Sequence, residues 1–338
     1  MNKDSAQIAA SETIAMTASC ATPLAREHLA QKHYYANFTE AKLIDIYNQA
    51  ASLAVEAAVA IVINGIHYAV LMASPHQLEY LAIGFLYSEG LIAHSHELLD
   101  WEVIKLTDAQ KRQAYNEEII RESAQSTSAN LHSAQLEDNA SFEHLLDYDT
   151  YVVELVLNQR CHQRIQAQKR QLAGRTGCGM CGITGLSQAL PDLRDYMADS
   201  MTDAVGRRET CVTKPSLDSL LSIRAQVSDL QHTHQLTGAV HAAATMQGSE
   251  LCLFEDVGRH NALDKLIGWQ LRHKKQVPYV VMTSRLSIEL IQKSIRIRLP
   301  WLIGMSAPTS TAVRVAQRYG LGLAGFLRED RVTYYSKF

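Results

Sequence analysis

The chain has 338 residues, of which 47% are hydrophobic and 20% charged, the length and composition of a soluble globular protein with two domains. A formal net charge of −3 creates no overall field that would favour nucleic acid or a membrane as partner. No apolar stretch reaches the roughly 18 residues of a membrane span, and the first 35 residues lack the pattern of a secretory signal. We therefore expect a cytoplasmic protein with reduced thiols.

The N-terminal half predicts a tail followed by an α+β domain. Residues 1–35 are rich in Ala, Ser and Thr, which indicates a mobile tail or a loosely attached helix. In the domain that follows, over residues 36–173, Asn64-Gly65 between two apolar runs predicts a β-hairpin. Pro75 then marks the first turn of a predicted helix.

Residues 102–150 differ from the rest of this domain. They contain ten acidic and four basic residues, so we expect a polar surface insertion, helical over 108–122 and partly disordered. After the insertion, the apolar run at 151–157 predicts a β-strand.

The C-terminal region, residues 188–338, alternates apolar strands with amphipathic helices. The predicted elements are a small-residue helix at 241–246, a strand at 250–255, a helix at 260–271, a strand at 279–283, a helix at 288–295, a strand at 301–305, a helix at 309–319 and a strand at 321–327. Such alternation predicts a three-layer α/β domain with a largely parallel sheet. The expected fold class is thus α/β, with an α+β N-terminal domain.

A glycine-rich run between the two regions contains Cys178 and Cys181. We expect a mobile loop over residues 174–187. Two cysteines three positions apart can bind a metal, cycle as a disulfide or carry a reactive sulfur. A zinc site usually needs a second such pair, or a pair with spaced histidines; no second Cys-x-x-Cys is present and the other cysteines are single, so we expect no metal. The flanking glycines Gly177 and Gly182 disfavour the helix start of a thioredoxin-like motif.

A persulfide carrier needs an exposed, mobile thiol with a low pKa. Arg175 and the basic residues upstream of it can lower that pKa, because no acidic residue lies between Gln159 and Arg175. The glycines supply mobility. A pair of buried structural cysteines remains the alternative.

A second constellation lies at a strand-to-helix switch, where open α/β sheets place ligand sites. Its polar members offer a hydrogen-bond acceptor, a guanidinium group, a titratable ring and an amide. They are, in that order, Asp256, Arg259, His260 and Asn261. In the alternative structural interpretation, Asp256 and Asn261 cap the helix and Arg259 pairs with Asp256. His241, at another loop-to-helix turn, becomes a candidate through its expected proximity to this group.

Two further turns resemble phosphate-binding sites. Ser284-Arg285 and Ser306–Thr309 each end a strand and begin a helix, and helix N-termini suit phosphate groups. Six basic residues and one acidic residue lie between Ser284 and Arg318. This charge pattern indicates either a binding site for a nucleotide diphosphate or a solvated helix face. Neither a Walker phosphate loop nor a Gly-x-Gly-x-x-Gly fingerprint is present.

Together these motifs resemble the FdhD family of sulfur carriers required for formate dehydrogenase activity. The matching segments are 64–65, 84–90, 174–182, 237–243, 255–262, 306–309 and 325–331. The resemblance implies a sulfurtransferase that accepts persulfide sulfur from a cysteine desulfurase. The sulfur would pass to the bis-molybdopterin guanine dinucleotide form of the molybdenum cofactor before its insertion into formate dehydrogenase. It also implies a homodimer and a C-terminal domain similar to cytidine deaminases.

The resemblance assigns the site residues as well. Cys178 would carry the persulfide and Cys181 would assist. The cofactor, or GDP as its mimic, would contact Phe326, Leu327, Arg328, Glu329, Asp330 and Arg331. The sequence departs from the family at Ser284-Arg285-Leu286, where members often have Ser-Gly-Arg. A cofactor-sheltering chaperone without sulfur chemistry and a zinc-dependent deaminase relative are the alternatives.

Overall fold

The computed structural model describes residues 24–35, 43–107, 115, 148–161, 165, 189–197 and 213–337. Within these ranges the chain forms a two-stranded ribbon, a four-stranded sheet and a six-stranded sheet, with helices packed on the two larger sheets. The mixed α/β architecture expected from the sequence is confirmed. None of the described helices is long and apolar enough to cross a membrane.

The ribbon pairs β1 (Ala25–Tyr35) with β2 (Leu43–Ala54) in antiparallel register. The Val55 amide closes its base by donating to the Leu24 carbonyl. The base is tied to the body by the ion pair of Arg26 with Asp149 and by the Leu24 amide, which donates to the Thr233 hydroxyl at 3.4 Å. The expectation of a tail or helix up to residue 35 is therefore wrong for β1, because backbone pairing with β2 overrides the weak local preference of the sequence. Residues 1–23 lie outside the described residues.

The N-terminal sheet has the order β4-β3-β6-β5. Its strands are β3 (Ala57–Ile63), β4 (Ile66–Ala73), β5 (Leu98–Lys105) and β6 (Thr150–Leu157). The predicted hairpin joins β3 to β4, with Asn64 at φ 49° and Gly65 at φ 76°, as a tight hairpin turn requires. Helix α1 (Leu78–Ser88) begins three residues after Pro75 and packs on one face of this sheet.

The predicted polar insertion starts later than expected. β5 continues to Lys105 and pairs with β6, so the first residues of the 102–150 segment belong to the sheet. Tyr115 is helical, and its hydroxyl lies 3.0 Å from Nδ1 of His67 on β4. The remainder, from 108 to 147, lies outside the described residues.

The C-terminal sheet has the order β12-β11-β10-β9-β7-β8. Its strands are β7 (His241–Gln247), β8 (Glu250–Asp256), β9 (Tyr279–Met282), β10 (Trp301–Gly304), β11 (Gly322–Gly325) and β12 (Thr333–Tyr334). The pairs β9–β10 and β10–β11 are parallel, whereas β7 is antiparallel to both of its neighbours and β12 is antiparallel to β11. The sheet is mixed, which corrects the expectation of a largely parallel one.

Helices cover both faces of this sheet. They are α2 (Leu217–Leu230), α3 (His232–Thr237), α4 (Arg259–Arg272), α5 (Ile288–Arg296) and α6 (Ser310–Arg318). Apolar residues of α4, α5 and α6 pack with one face of the strands, and apolar residues of α2 pack with the other. The three-layer arrangement expected from the sequence is therefore present.

The predicted small-residue helix at 241–246 is wrong, because this segment forms β7. The two-residue connection Gly248-Ser249, with Gly248 at φ 63°, folds β7 back on β8 as a hairpin. Alanine has a high helix propensity, but Ala242, Ala243 and Ala244 fit the crowded centre of a sheet covered on both faces.

The two larger sheets are joined through α1 and α4. At their crossing, a Cβ added to Gly84 would lie 1.8 Å from the Asp264 carbonyl oxygen. A Cβ added to Gly268 would lie 1.9 Å from the Tyr80 carbonyl oxygen. Only glycine permits so close an approach of two helix backbones, so these residues fix how the N-terminal domain sits on the C-terminal one.

Candidate functional site

The predicted site residues of the C-terminal domain gather at one edge of its sheet. Parallel strands β9, β10 and β11 end there, and hydrogen bonds join the loops that follow them. The Leu286 amide donates to the Ala307 carbonyl at 3.1 Å, and the Phe326 amide donates to the Ser306 carbonyl at 3.1 Å. Carboxyl ends of parallel strands are the usual ligand-binding edge of an α/β sheet.

Strands β7 and β8 bring the second constellation to the same edge. His241, the first residue of β7, is the register partner of Asp256, the last residue of β8. The Ala242 amide donates to Oγ1 of Thr283 at 2.9 Å, and the Thr283 amide donates to the Ala242 carbonyl at 3.1 Å. The loop containing Arg285 therefore starts next to His241.

Asp256 is fully buried and bonded on both carboxylate oxygens. Its Oδ1 accepts from the Gly258 amide at 2.8 Å and from the Asn261 side chain at 2.9 Å. Its Oδ2 accepts from the Ser74 amide at 3.1 Å and forms an ion pair with Lys265 at 2.7 Å. The partner of Asp256 is thus Lys265, and not Arg259 as the structural alternative supposed.

This network connects the two domains. Asn261 also donates to the Met72 carbonyl at 2.8 Å, and the Val257 amide donates to the Ser74 hydroxyl at 3.2 Å. Lys265, which is also fully buried, donates to the Ser74 carbonyl at 3.1 Å. Asp256 and Asn261 therefore hold the end of β4 against the start of α4.

Arg259 and His260, from the same motif, have a different environment. Nε of Arg259 and Nε2 of His260 are shielded from solvent and have no hydrogen-bond partner among the described residues. Burial lowers the pKa of His260 to about 4, and the charges of Arg259 and Lys293 add to this effect. At neutral pH the His260 ring is consequently neutral.

His241 is half-buried, and burial lowers its pKa. The positive charges of Arg259 and Arg285 lower the pKa of His241 further. Two guanidinium groups from different segments therefore act on one ring, which gives this part of the edge a positive electrostatic environment.

The C-terminal candidates form a tight turn at the far side of the edge. Phe326 adopts φ 50°, an uncommon conformation for an aromatic residue, and its neighbour Leu327 is fully buried. The Arg328 amide donates to the Arg331 carbonyl at 2.8 Å, which closes the turn around Glu329 and Asp330. The side chains of the turn, residues 328–331, are exposed.

The predicted sulfur site, Arg175, Cys178 and Cys181, lies outside the described residues, as does the whole predicted loop 174–187. Two other cysteines are described. Cys161 is buried, and burial raises the pKa of Cys252 to about 11. Neither has the exposed, acidic thiol that sulfur transfer needs. Among the described residues no group of three or more His, Cys, Asp or Glu side chains is arranged to hold a metal ion.

Sequence reasoning missed Lys265 and Ser74. Asp264 and Lys265 are adjacent charges inside the apolar sequence of α4, between Leu263 and Leu266, and such charges are buried only when they are paired. This pattern was the available signal for Lys265. Nothing in the sequence connects Ser74 with α4, because they meet only through the packing of two domains.

The fold and the edge define a mixed α/β protein of two packed domains with a polar, positively charged site beside the carboxyl ends of three parallel strands.

Comparison with known proteins identifies the family. The model of the FdhD/NarQ family matches residues 54–338, and the chain belongs to this family. The sulfur carrier protein FdhD of Shewanella oneidensis is 33% identical over 284 residues, covering 83% of both chains. The sulfur carrier protein FdhD of Variovorax paradoxus is 35% identical over 293 residues, covering 84% of both chains.

A solved structure shares the fold. The crystal structure of a protein from Desulfotalea psychrophila, provisionally described as a formate dehydrogenase accessory protein, superposes with a TM-score of 0.57. The alignment covers 93% of this chain and 98% of that one at 18% sequence identity.

Proposed function

We propose that this protein is a sulfur carrier for formate dehydrogenase. It would accept persulfide sulfur from a cysteine desulfurase and pass it to the bis-molybdopterin guanine dinucleotide form of the molybdenum cofactor. The proposal is carried by the match, over more than four fifths of the chain, to relatives named sulfur carrier proteins. The residues that match the family model, 54–338, include the Cys178–Cys181 run. The sulfurtransferase activity rests on this run.

The loading step uses Cys178 as the nucleophile. Its thiolate attacks the outer sulfur of the desulfurase persulfide, so that a new S–S bond forms on Cys178 and the desulfurase cysteine leaves as a thiolate. The exchange needs no external oxidant or reductant. Arg175 stabilises the attacking thiolate by its positive charge, and Cys181 assists in the release of the sulfur.

Mass spectrometry of the intact protein, after incubation with a cysteine desulfurase and cysteine, tests this step. The wild-type protein should gain the mass of one sulfur atom, and Cys178→Ala should gain none. Cys252→Ala is the matched control and should load as the wild type does, because the Cys252 thiol stays protonated at neutral pH. Loading of Cys178→Ala, or full formate dehydrogenase activity supported by it, would show that the assignment is wrong. A chaperone that only shelters the cofactor would carry no added sulfur in any variant.

The sheet edge is the proposed acceptor site. Residues Phe326 to Arg331 would contact the guanine dinucleotide, with GDP as a mimic. The support is the exposed turn beside the ends of the parallel strands, where α/β proteins bind ligands. Arg224 on α2 lies 3.4 Å from Glu329 and connects this turn to the helix layer.

We also propose that the protein is a homodimer that acts in the cytoplasm. The support for the dimer is the ribbon, in which Leu29 is 83% exposed and Ile46 42% exposed on the same face. An isolated two-stranded ribbon is marginally stable in water, so a second copy covering this face would stabilise it.

Analytical ultracentrifugation tests the dimer. The wild type should sediment as a dimer, and the double variant Leu29→Glu/Ile46→Glu as a monomer. Leu99→Glu, at an exposed leucine of β5, is the control and should remain dimeric. A monomeric wild-type protein would contradict the proposal.

A further inference from the structure

Exposed cations collect at the edge of the C-terminal sheet where α4, α5 and α6 end. Each of these helices follows a strand and runs back across the sheet, so all three end at the same edge. They lie side by side on one face of the sheet, with Lys293 of α5 bonded to Asp264 of α4. The exposed cations in their final two turns or just after them form what we call the basic surface: Arg272, Lys274, Lys275, Arg298, Arg314 and Arg318.

Most members of the basic surface have no carboxylate partner. Lys274, Lys275 and Arg314 form no ion pair with a carboxylate of the described residues. The guanidinium groups of Arg272 and Arg318 lie over aromatic rings, 4.4 Å and 5.6 Å from the ring centroids. Arg314 and Arg318, four positions apart on α6, also repel each other. Such a pair is slightly unfavourable for the helix, so it does not follow from the needs of the fold.

The acids nearby are fewer than these cations. Asp192 lies in the segment packed on α5 and α6, and it is already paired with Arg194 at 2.6 Å. Burial raises the pKa of Cys252; Glu250 adds to this shift and Lys275 opposes it, which places both charges near one thiol. The surface therefore keeps a surplus of positive charge, and such a surface attracts a partner of the opposite sign.

Helix stability alone does not explain the basic surface. A cation in the last turn interacts favourably with the helix dipole, which accounts for Arg272 and Arg318. Lys274 and Arg298 lie beyond the ends of α4 and α5 and adopt φ 51° and φ 54°, a left-handed conformation that favours glycine or asparagine. At the corresponding position after α6 the chain has Gly320, at φ 70°. Two long cationic side chains therefore stand where glycine would be less strained.

The chain that follows the cysteine run is fixed beside the basic surface. Residues 189–197 pack on α5 and α6, where the Gln292 side chain donates to the Ala189 carbonyl at 2.9 Å. Arg298, a member of the basic surface, donates to the Asp195 carbonyl at 3.3 Å. The covalent path from the cysteines therefore leads directly to this part of the molecule.

We propose that the basic surface is the docking site for an acidic face of the protein that supplies sulfur to Cys178, an inference that rests on the proposed function. Cys181 precedes Ala189 by eight residues, a length of chain that spans at most about 29 Å. A donor bound at the basic surface thus has the cysteine run within reach. Charge complementarity speeds the encounter and orients the donor, while the reacting groups remain those of the two cysteines.

Sulfur loading at increasing concentrations of the cysteine desulfurase tests the docking site. For Lys274→Gln/Lys275→Gln, the desulfurase concentration that gives half the maximal loading rate should rise about fivefold or more, as expected for loss of two charge contacts. The maximal rate should remain that of the wild type, because the reacting cysteines are unchanged. Raising the salt from about 50 to about 300 mM should reduce the difference, since it screens surface charges. Lys32→Gln/Lys105→Gln, which removes two exposed cations of β1 and β5, is the matched control and should load as the wild type does.

A second variant separates docking from folding. Lys274→Gly removes the cation and relieves the left-handed backbone, so its melting temperature should equal or exceed that of the wild type. It should nevertheless need more desulfurase for half-maximal loading. A lower melting temperature with unchanged loading would show that Lys274 has a structural role, and it would overturn the proposal.

Direct binding of the desulfurase, measured by calorimetry, separates the docking site from the proposed function. If wild type and Lys274→Gln/Lys275→Gln bind and load equally, the docking site is wrong while the proposed function stands. If the desulfurase binds the wild type more tightly than the variant but neither gains sulfur, the docking site stands and the proposed function fails. If the wild type does not bind the desulfurase, the docking site is overturned. Tight binding of a short DNA duplex that is lost in the variant would also overturn it, because the surface would then bind nucleic acid.

Discussion

At the scale of single residues, the Glu255–Ala262 motif divides into two groups with different tasks. Asp256 and Asn261 are occupied by bonds that join β4 to α4, whereas Arg259 and His260 retain buried donor or acceptor atoms without a partner among the described residues. Of these four polar residues between the end of β8 and the first turn of α4, two hold the packing and two are the candidates for binding a ligand. A variant of Asp256 or Asn261 would disturb the site through the fold, and this effect must be kept separate from loss of a ligand contact.

The Asp256–Lys265 ion pair should be essential for stability. Both side chains are fully buried, so Lys265→Met would leave the Asp256 charge uncompensated in the interior. We expect a loss of about 3 to 5 kcal/mol in the free energy of unfolding, measured by urea denaturation. Arg194→Met is the matched control, because Arg194 forms an exposed pair with Asp192 at 2.6 Å, and it should cause no measurable loss. Similar losses in both variants would contradict this prediction.

His260 should make the protein less stable in mild acid. Its pKa is about 4 in the folded protein and 6.5 in its ordinary state, so the unfolded chain binds more protons between these values. The His260 contribution is fully present above pH 6.5 and is lost as the pH falls towards 4, by about 3 kcal/mol in total. Urea denaturation of wild type and His260→Gln from pH 7.5 to 4.5 measures it.

The His260→Gln variant should have a shallower dependence of unfolding free energy on pH than the wild type. His28→Gln, at an exposed position of the ribbon, serves as the control and should follow the wild-type curve. Parallel curves for His260→Gln and wild type would exclude His260 as the source of the acid sensitivity.

At the scale of elements, the sequence predicts β8 to β11 and α4 to α6 correctly because their apolar periodicity is strong and their ends carry clear signals. It fails at β7, where alanines permit a helix as readily as a strand, and at β1, where pairing alone determines the strand. The mixed direction of the sheet could not be predicted, since it follows from the hairpin between β7 and β8.

The candidate site was predictable in part. The sequence places polar residues after strands, and the proximity of His241 to the group that contains Arg259 could be expected; that Arg285 lies beside them follows from the topology. The long-range partners could not be predicted. The bond from the Ser74 amide to Asp256 joins residues 182 positions apart, and no local pattern encodes it.

The α1–α4 crossing should be intolerant of any side chain at its contact. Gly84→Ala would place a methyl group 1.8 Å from the Asp264 carbonyl oxygen, and the helices would have to separate. We expect a loss of about 1 to 3 kcal/mol or more in the free energy of unfolding. Gly320→Ala is the comparison: its surroundings are open, and only its positive φ of 70° is strained, so it should lose about 1 kcal/mol or less. An equal loss in both variants would refute the close crossing.

At the scale of the whole molecule, buried polar groups connect the two domains. Lys293 on α5 lies 2.9 Å from Asp264 on α4 and 3.3 Å from Glu89 at the end of α1, and it donates to the Ser88 hydroxyl at 2.6 Å. Arg272 on α4 lies over the ring of Trp101 on β5, 4.4 Å from its centroid. Separation of the domains would break the bonds of Lys293 to Glu89 and Ser88 and expose the face on which the helices cross.

The two domains should therefore unfold together. Amide hydrogen exchange of β3 in the N-terminal domain and β9 in the C-terminal domain measures this, because the slowest amides of each report the free energy of global opening. Lys293→Met leaves Asp264 without its cation and should lower the protection of both strands by the same amount. Arg194→Met, which removes only an exposed ion pair with Asp192, should lower neither. If Lys293→Met lowered the protection of β9 alone, the two domains would unfold independently. The bonds of Lys293 would then not couple the N-terminal domain to the C-terminal sheet.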